Sequence, residues 1–505
     1  MKKNRMRLTA LAMSLLMAAA LAACSGGNKT TETASETVTV TESASETATE
    51  TATESETAET ESTAENAVPE KDRITVNETY ENAEDGGHAI MADGEEASYA
   101  NIGVTKTGEA EGDEADFYGE NAAVFATNEA ALTISDSLIE TNGTHANGVF
   151  SYGEGTTVNI SDSVIETSGN CSGGIMTTGG GTMNASNLNI HTTGNSSAAI
   201  RSDRGGGTVT VDGGSYVTDG MGSPVIYSTA DITVSDSYME STASQGVVVE
   251  GKNSVTLNGC ELVADNNTKN SDKSDYYQAV MIYQSMSGDA ASGTSSFTMN
   301  GGSLLNKNGD IFFVNNTACE ISMSGVDVVN EDADGIFLRA EAAGWGNEGS
   351  NGGKINFTAS GQTIDSDMVV DEVSVLNLYL KDGSVFNGAI NAEGQAGSVY
   401  VELDEGSTWT LTGDSYISGL TCDADAINLN GYTLYVDGEA YTAGSESTGE
   451  AFEIVSESSG MGEGMPEGPG GEGMPEPPDG EGHGPGGDGM PEPPEGGEPP
   501  AKPGE

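Results

Sequence analysis

Arg201-Ser202-Asp203-Arg204 sets two cations around one acid in a chain that has only 18 Lys and Arg against 80 Asp and Glu. Such a group has a chemistry to offer. A basic side chain abstracts a proton next to a uronate carboxylate, and an arginine or a calcium ion neutralises that carboxylate, which together make a polysaccharide lyase. The same charges also have a use without any substrate. Arg201 and Arg204 pair with Asp203 and with acids on neighbouring segments, relieving repulsion in a strongly acidic chain, and this second reading is preferred. Arg201, Asp203 and Arg204 are therefore the catalytic candidates, and no catalytic residue is assigned.

Carboxylates form two further groups. Glu140, Glu166, His191 and Glu240 recur at related positions, with Thr218 expected between the last two; acids stacked at strand spacing can share a cation, and the imidazole can join them as a ligand. The loop "EAEGDEADFYGEN" brings Glu109, Glu111, Asp113, Glu114, Asp116 and Glu120 close in sequence, without the D-x-[DN]-x-[DN]-G spacing of an EF-hand. Calcium is the one ion these groups suggest. A solvated acidic surface explains them without any ion and is preferred, so no cofactor and no firm metal site is expected. A separate set, Phe150, Tyr227, Tyr283, Phe312 and Phe337, is expected to face outward, where aromatic rings stack on sugar faces while Asn, Thr and Asp bond the hydroxyls. The insertions at 264–296 and 339–353 are placed to fold over those rings instead.

What must position these residues is a repeat. "LTISDSLIETNG" from Leu132 returns as "VNISDSVIETSG" from Val158, and the apolar start recurs at Met183, Val209, Ile232, Val255, Phe297, Ile321 and Ile355. The period is about 22–26 residues with two insertions. Within a unit, apolar residues alternate with polar ones around a Ser-Asp-Ser or Asn-Gly corner, then a glycine precedes a second apolar pair. This is strand periodicity throughout, and no helical run is expected.

Three short strands and three turns per unit predict an all-β chain, a right-handed parallel β-helix in which each coil buries its apolar face against the next. One inward ladder is expected along Ile134, Ile160, Ala185, Val211, Val234, Leu257, Met299, Met323 and Phe357. A second runs through Val124, Val149, Ile175, Ile200 and Ile226, then Val248, Ile282, Phe312 and Ile336. Corners fall at Asp136, Asp162, Asn187 and Asp236, whose side chains can bond the turning backbone. Stacking places Met176 and Tyr227 beside Arg201, which gives no wider basic groove. Leucine-rich repeats share the period but lack their L-x-x-L-x-L signature here, and propeller blades need longer units.

The rest of the chain frames this body at 74–455. Lys2, Lys3, Arg5 and Arg7 precede the apolar run Leu8 to Ala20, and Leu21-Ala22-Ala23-Cys24 follows. That run is shorter than the ~18 residues a spanning helix needs. The arrangement resembles the lipobox of bacterial lipoproteins, which implies a leader at 1–23, a diacylglycerol on Cys24, and anchorage on the outer face of the cell membrane. Residues 24–73 are mostly Thr, Glu, Ser and Ala and read as a disordered tether; 456–505, rich in Gly, Pro, Met and Glu, read as a disordered tail. Cys171, Cys260, Cys319 and Cys422 show no zinc spacing; their even count permits disulfides in an exported protein, but they are taken as isolated small apolar residues. A net charge of −62 argues against nucleic acid as a partner.

The lines "HANGVFSYGEGTTVNISDS", "GGIMTTGGGTMNASN" and "AAIRSDRGGGTVTVDGG" resemble the pectin-lyase-like β-helix superfamily, and more closely the adhesin-like surface lipoproteins of gut Firmicutes. The resemblance implies the fold strongly and the function weakly, since the superfamily holds lyases, hydrolases, esterases and non-catalytic adhesins. Its Gly-His-Gly hydrolase motif occurs here only in the tail, at Gly482-His483-Gly484. The expected function is a lipid-anchored, non-catalytic adhesin or glycan-binding protein whose partner is a carbohydrate or a ligand on a host or neighbouring cell. The alternatives are a polysaccharide lyase or glycoside hydrolase, and a structural envelope spacer.

Overall fold

The computed structural model describes residues 68–455 except residue 270. The leader, Cys24, the tail and all but the last residues of the expected tether lie outside that range. Within it the chain winds as a parallel β-helix. Each full coil contributes a strand to each of three walls, as in Thr157–Ser161, Val164–Thr167 and Ile175–Thr178. Neighbouring coils pair in parallel along all three walls. Among the described residues the one antiparallel strand pair, Leu434–Val436 with Glu439–Ala440, lies in the final coil.

Alternation in the sequence becomes alternation in burial. In Thr157–Ser161, Val158 and Ile160 are buried while Thr157, Asn159 and Ser161 are not. The inward ladder Ile134, Ile160, Ala185, Val211, Val234, Leu257, Met299, Met323 is in register at every step. Its next member is Ala359, and Phe357 instead stands opposite Ile321, two residues from the expected register. A two-residue slip keeps apolar side chains inward, so the period alone does not detect it. The third wall shows a related correction. After Ile226 the ladder runs through Val247, Val280, Phe312 and Leu338, because Val247-Val248-Val249 offers no polar residue to mark which valine faces in.

The first two walls meet at a tight corner. Asp136, Asp162, Asn187 and Asp236 all take left-handed backbone conformations there, with φ of 49°, 48°, 48° and 49°. Asn and Asp tolerate that region better than other side chains. Asn187 also donates through Nδ2 to Asp162 Oδ1 on the previous coil at 2.8 Å. Elsewhere Gly143, Gly169, Gly194 and Gly220 stack so closely that a Cβ on any of the last three would sit 1.8 Å from the carbonyl oxygen below.

Two features depart from an all-strand chain. Residues Asp113–Phe117 form a single helical turn, and Lys71–Arg73 form a short 3-10 turn. Both ends of the described chain also return onto the body. Asn189 Nδ2 donates to Pro69 O at 2.9 Å, and at the other end Asn377 exchanges two hydrogen bonds with the backbone of Phe452. Cys260, Cys319 and Cys422 are buried free thiols within the packing, as small apolar residues would be.

Candidate functional site

The outward row of the third wall runs Phe125, Phe150, Met176, Arg201, Tyr227, Val248, Met281, Phe313 and Arg339. It is where chemistry was expected, and it is roofed. Phe117, on the helical turn, lies under the Arg204 guanidinium at 3.7 Å, and Tyr118 meets Tyr152 edge-on at 5.8 Å. Asp289, from the 264–296 insertion, accepts from Arg204 Nε at 2.7 Å. Trp345, from the second insertion, meets Tyr283 edge-on at 5.3 Å.

Burial corrects the outward placement of the aromatics. Phe150 is fully buried against Phe125 and Met176. Phe312 points into the main core, because Phe313 is the outward member of that pair; with Phe337 it joins a cluster of edge-to-face rings that includes Phe297 and Phe357. Tyr227 and Tyr283 are half-buried, and both hydroxyls donate to one Glu250 carboxylate oxygen, Tyr283 at 2.9 Å. None of the five presents an open ring face.

Around Glu250 lies a buried polar cluster. Arg201 donates to Asp203 at 3.0 Å, and Arg204 reaches Asp289 and, at 3.0 Å, Asp113. Asp203 is 5% exposed and Glu250 1%. Burial pushes the Asp203 carboxyl up to about 6 despite the adjacent Arg201 charge and hydrogen bond; Asp289 and Glu250 push the same way. Burial, reinforced by the Glu250 charge, raises the Tyr227 and Tyr283 phenols well above their usual range. Both arginines are thus tied into ion pairs, as preferred from the sequence, although Arg201 Nη1 and Glu250 Oε1 keep no protein partner.

The stacked glutamates do share a cation, and it belongs to the chain. Lys71 Nζ sits 2.8 Å from Glu140 and 2.5 Å from Glu166, and these two hydrogen bonds raise the pKa of its ammonium group. His191 bonds Asp219 at 2.7 Å, and Glu240 takes a hydrogen bond from Tyr238 at 2.7 Å and an ion pair from Lys307 at 3.2 Å. Val217, not Thr218, stands between His191 and Glu240; Thr218 is the inward neighbour, its hydroxyl donating to Ser223 O.

The acidic loop does not converge. Asp113 goes to Arg204, Asp116 to His145 Nε2 at 2.6 Å, while Glu109, Glu111, Glu114 and Glu120 are exposed. Burial opposes ionisation of Asp116, but the His145 hydrogen bond and charge, with Arg201 and Arg204 behind them, outweigh it and lower its pKa. Asp116, His145 and Cys171 lie close enough to suit a metal, yet both imidazole nitrogens already meet acceptors, Asp116 Oδ1 and Ala110 O.

An open surface remains on the first wall. From the coil of Thr133 to that of Thr358, three outward rows run side by side: Ala131 to Asn356, Thr133 to Thr358, and Ser135 to Ser360. Every position is Ser, Thr or Asn except Ala131, Asp212, Asp231 and Glu320. Sequence reading passed over these residues because Ser, Thr and Asn facing solvent are what any half-buried strand shows. The signal available was their uniformity.

Comparison with protein families, curated proteins and solved structures returned no match for this chain. Its function therefore has to be argued from the two surfaces just described, one closed and charged, one open and uncharged.

Proposed function

We propose that this protein is a non-catalytic adhesin or glycan-binding protein of the bacterial cell surface, held to the membrane through Cys24. One observation carries the reading: Arg201 and Asp203, the core of the best catalytic candidate, are paired with each other and buried, whereas the long first wall stays open and offers hydrogen-bonding groups in rows. Catalysis needs a reacting group within reach of substrate, and Arg201, Asp203 and Glu250 are all enclosed.

A panel of pectins, mucin glycans and matrix proteins tests this, read both for binding and for new reducing ends or unsaturated products. Binding without product is expected. Calcium-dependent release of unsaturated products, abolished by Arg201→Ala or Arg204→Ala, installs the lyase instead. The anchor has its own test: Cys24→Ala should shift the protein from the membrane fraction to the medium or leave it unprocessed, and a membrane-retained, fully processed variant would remove the lipid anchor from the proposal.

A further inference from the structure

The open rows of the first wall differ from the rest of the molecule in charge. The whole chain carries −62, with acids spread along the body, yet three acids and no cation interrupt the field from Ala131 to Ser360. A polyanion is repelled by the body as a whole. A polycation finds its carboxylates on other surfaces, such as the exposed Glu109, Glu111 and Glu114. An uncharged chain rich in hydroxyls meets neither obstacle.

The field also has the hydrogen-bonding capacity and order that such a chain requires. Each Ser or Thr hydroxyl donates once and accepts twice, and each Asn amide does both. Adjacent coils repeat these groups every ~4.8 Å along the solenoid, and successive outward positions lie ~6.8 Å apart along a strand. Several amides are already fixed by neighbours: Asn184 Nδ2 to Asn159 Oδ1 at 3.0 Å, Asn300 Nδ2 to Asn258 Oδ1 at 3.0 Å, and Asn356 Nδ2 to Glu320 Oε1 at 2.7 Å. Groups ordered before binding lose less entropy on binding.

This chain supplies an example of how a polymer lies there. Its own residues 447–452 pass lengthwise over the last coils of the same wall. Thr421 Oγ1 accepts from Gly449 N at 3.0 Å and donates to Gly449 O at 3.3 Å; Asn377 Oδ1 accepts from Phe452 N at 3.0 Å while its Nδ2 donates to Phe452 O at 2.8 Å. One ladder side chain thus satisfies a donor and an acceptor of one polymer unit. Asn377 Nδ2 also reaches Asn356, where the uncovered field begins.

We infer that the field from Thr133 to Thr358 binds an unbranched, uncharged polysaccharide lying along the solenoid axis. The inference rests on the glycan-binding reading above and narrows it to a ligand class and a surface. No aromatic platform selects a single sugar ring there, so affinity accumulates over many weak contacts as the chain spans successive coils.

The test uses the purified full chain in detergent and amorphous cellulose as the probe, with polygalacturonate and gelatin as charged and peptide comparators. Thr210→Arg with Thr256→Arg places two long cations in the middle of the field; Ser215→Arg with Ser303→Arg makes the same charge change on the second wall. Melting curves establish that both double variants fold. Wild type and the second-wall variant should sediment with cellulose equally, with little loss in high salt, while the field variant binds at least roughly tenfold more weakly, as expected for two lost contacts. Equal weakening in both variants, or capture by gelatin or polygalacturonate instead, overturns the inference. Attachment to cells or mucin that the field variant retains in full sinks the inference but leaves the adhesin reading standing. Failure to bind any carbohydrate, protein or cell sinks both.

Discussion

Asp203 offers the sharpest test of the closed cluster. Its folded pKa of about 6 lies above the ordinary 3.8. At 1.36 kcal/mol per unit the ionised carboxylate costs about 3 kcal/mol of stability relative to the same group in the unfolded chain. The sign follows from proton binding. Between roughly pH 4 and 6 the folded chain holds a proton that the unfolded chain has released, so stability from this group is full below the unfolded pKa and is lost as pH rises through about 6. Asp203→Asn keeps the shape and an acceptor oxygen for Arg201 but cannot titrate. Measured by urea unfolding at pH 4, 5, 6 and 7, the variant should gain about 2–3 kcal/mol on wild type from the lowest pH to the highest, over a constant offset. Asp116, Asp219 and Glu240, whose pKa values are lowered, act in the opposite direction, destabilising the fold on acidification. They are common to both proteins and largely cancel in the difference. A difference that stays flat across this range, or one that moves against the variant, would refute the account of a carboxyl pushed up by burial among Arg201, Glu250 and Asp289.

Two other outcomes follow from the register and the ends. Ile160→Asp buries an unpaired carboxylate between coils and should cost several kcal/mol, whereas Asn159→Asp, one residue away and exposed, should move the melting temperature little; equal losses would mean that the inward face of this strand is misassigned. Lys71→Met removes the ammonium shared by Glu140 and Glu166, pairs exposed enough that global stability should fall by no more than about 1 kcal/mol. Limited proteolysis between residues 68 and 77 should accelerate clearly all the same, and an unchanged cleavage rate would show that the lysine does not hold this segment down.

The coil architecture could be read from the sequence because a single rule repeats. Val158 and Ile160 face in with polar neighbours facing out, and the next coil says the same at Met183 and Ala185. The rule weakens where polarity no longer marks direction. Three valines at 247–249 and the adjacent Phe312 and Phe313 satisfy either register, so Val248 was expected inside and lies outside, while Phe312, placed both on the inward ladder and among the outward rings, lies inside. The roof over the third wall was legible only as two insertions of suitable length. That Asp289 would meet Arg204, Trp345 would meet Tyr283, and Glu250 would collect two tyrosines depends on where non-repeating loops land, and no local pattern encodes that. Lys71 was hidden for another reason: it sits at the edge of a low-complexity stretch, where a charge reads as solvated. The acids it joins were correctly grouped, but their counter-ion came from 69 and 95 residues away in sequence.

The way the ends fold back has a mechanical meaning. A solenoid pulled from a terminus ordinarily opens like a zipper, its outermost coil peeling first because only one neighbour holds it. Here a force applied at the N-terminal end of the body reaches Pro69 and Lys71 before it reaches the first strand, Glu78–Asn82. The first bonds to carry load are then those to Asn189, Glu166 and Glu140, on coils well inside the stack. Phe452 transmits a pull from the other end to Asn377 in the same way, past the final coils. Tension is thereby shared across several interfaces and applied partly in shear, the loading direction in which bonds must fail together rather than one after another.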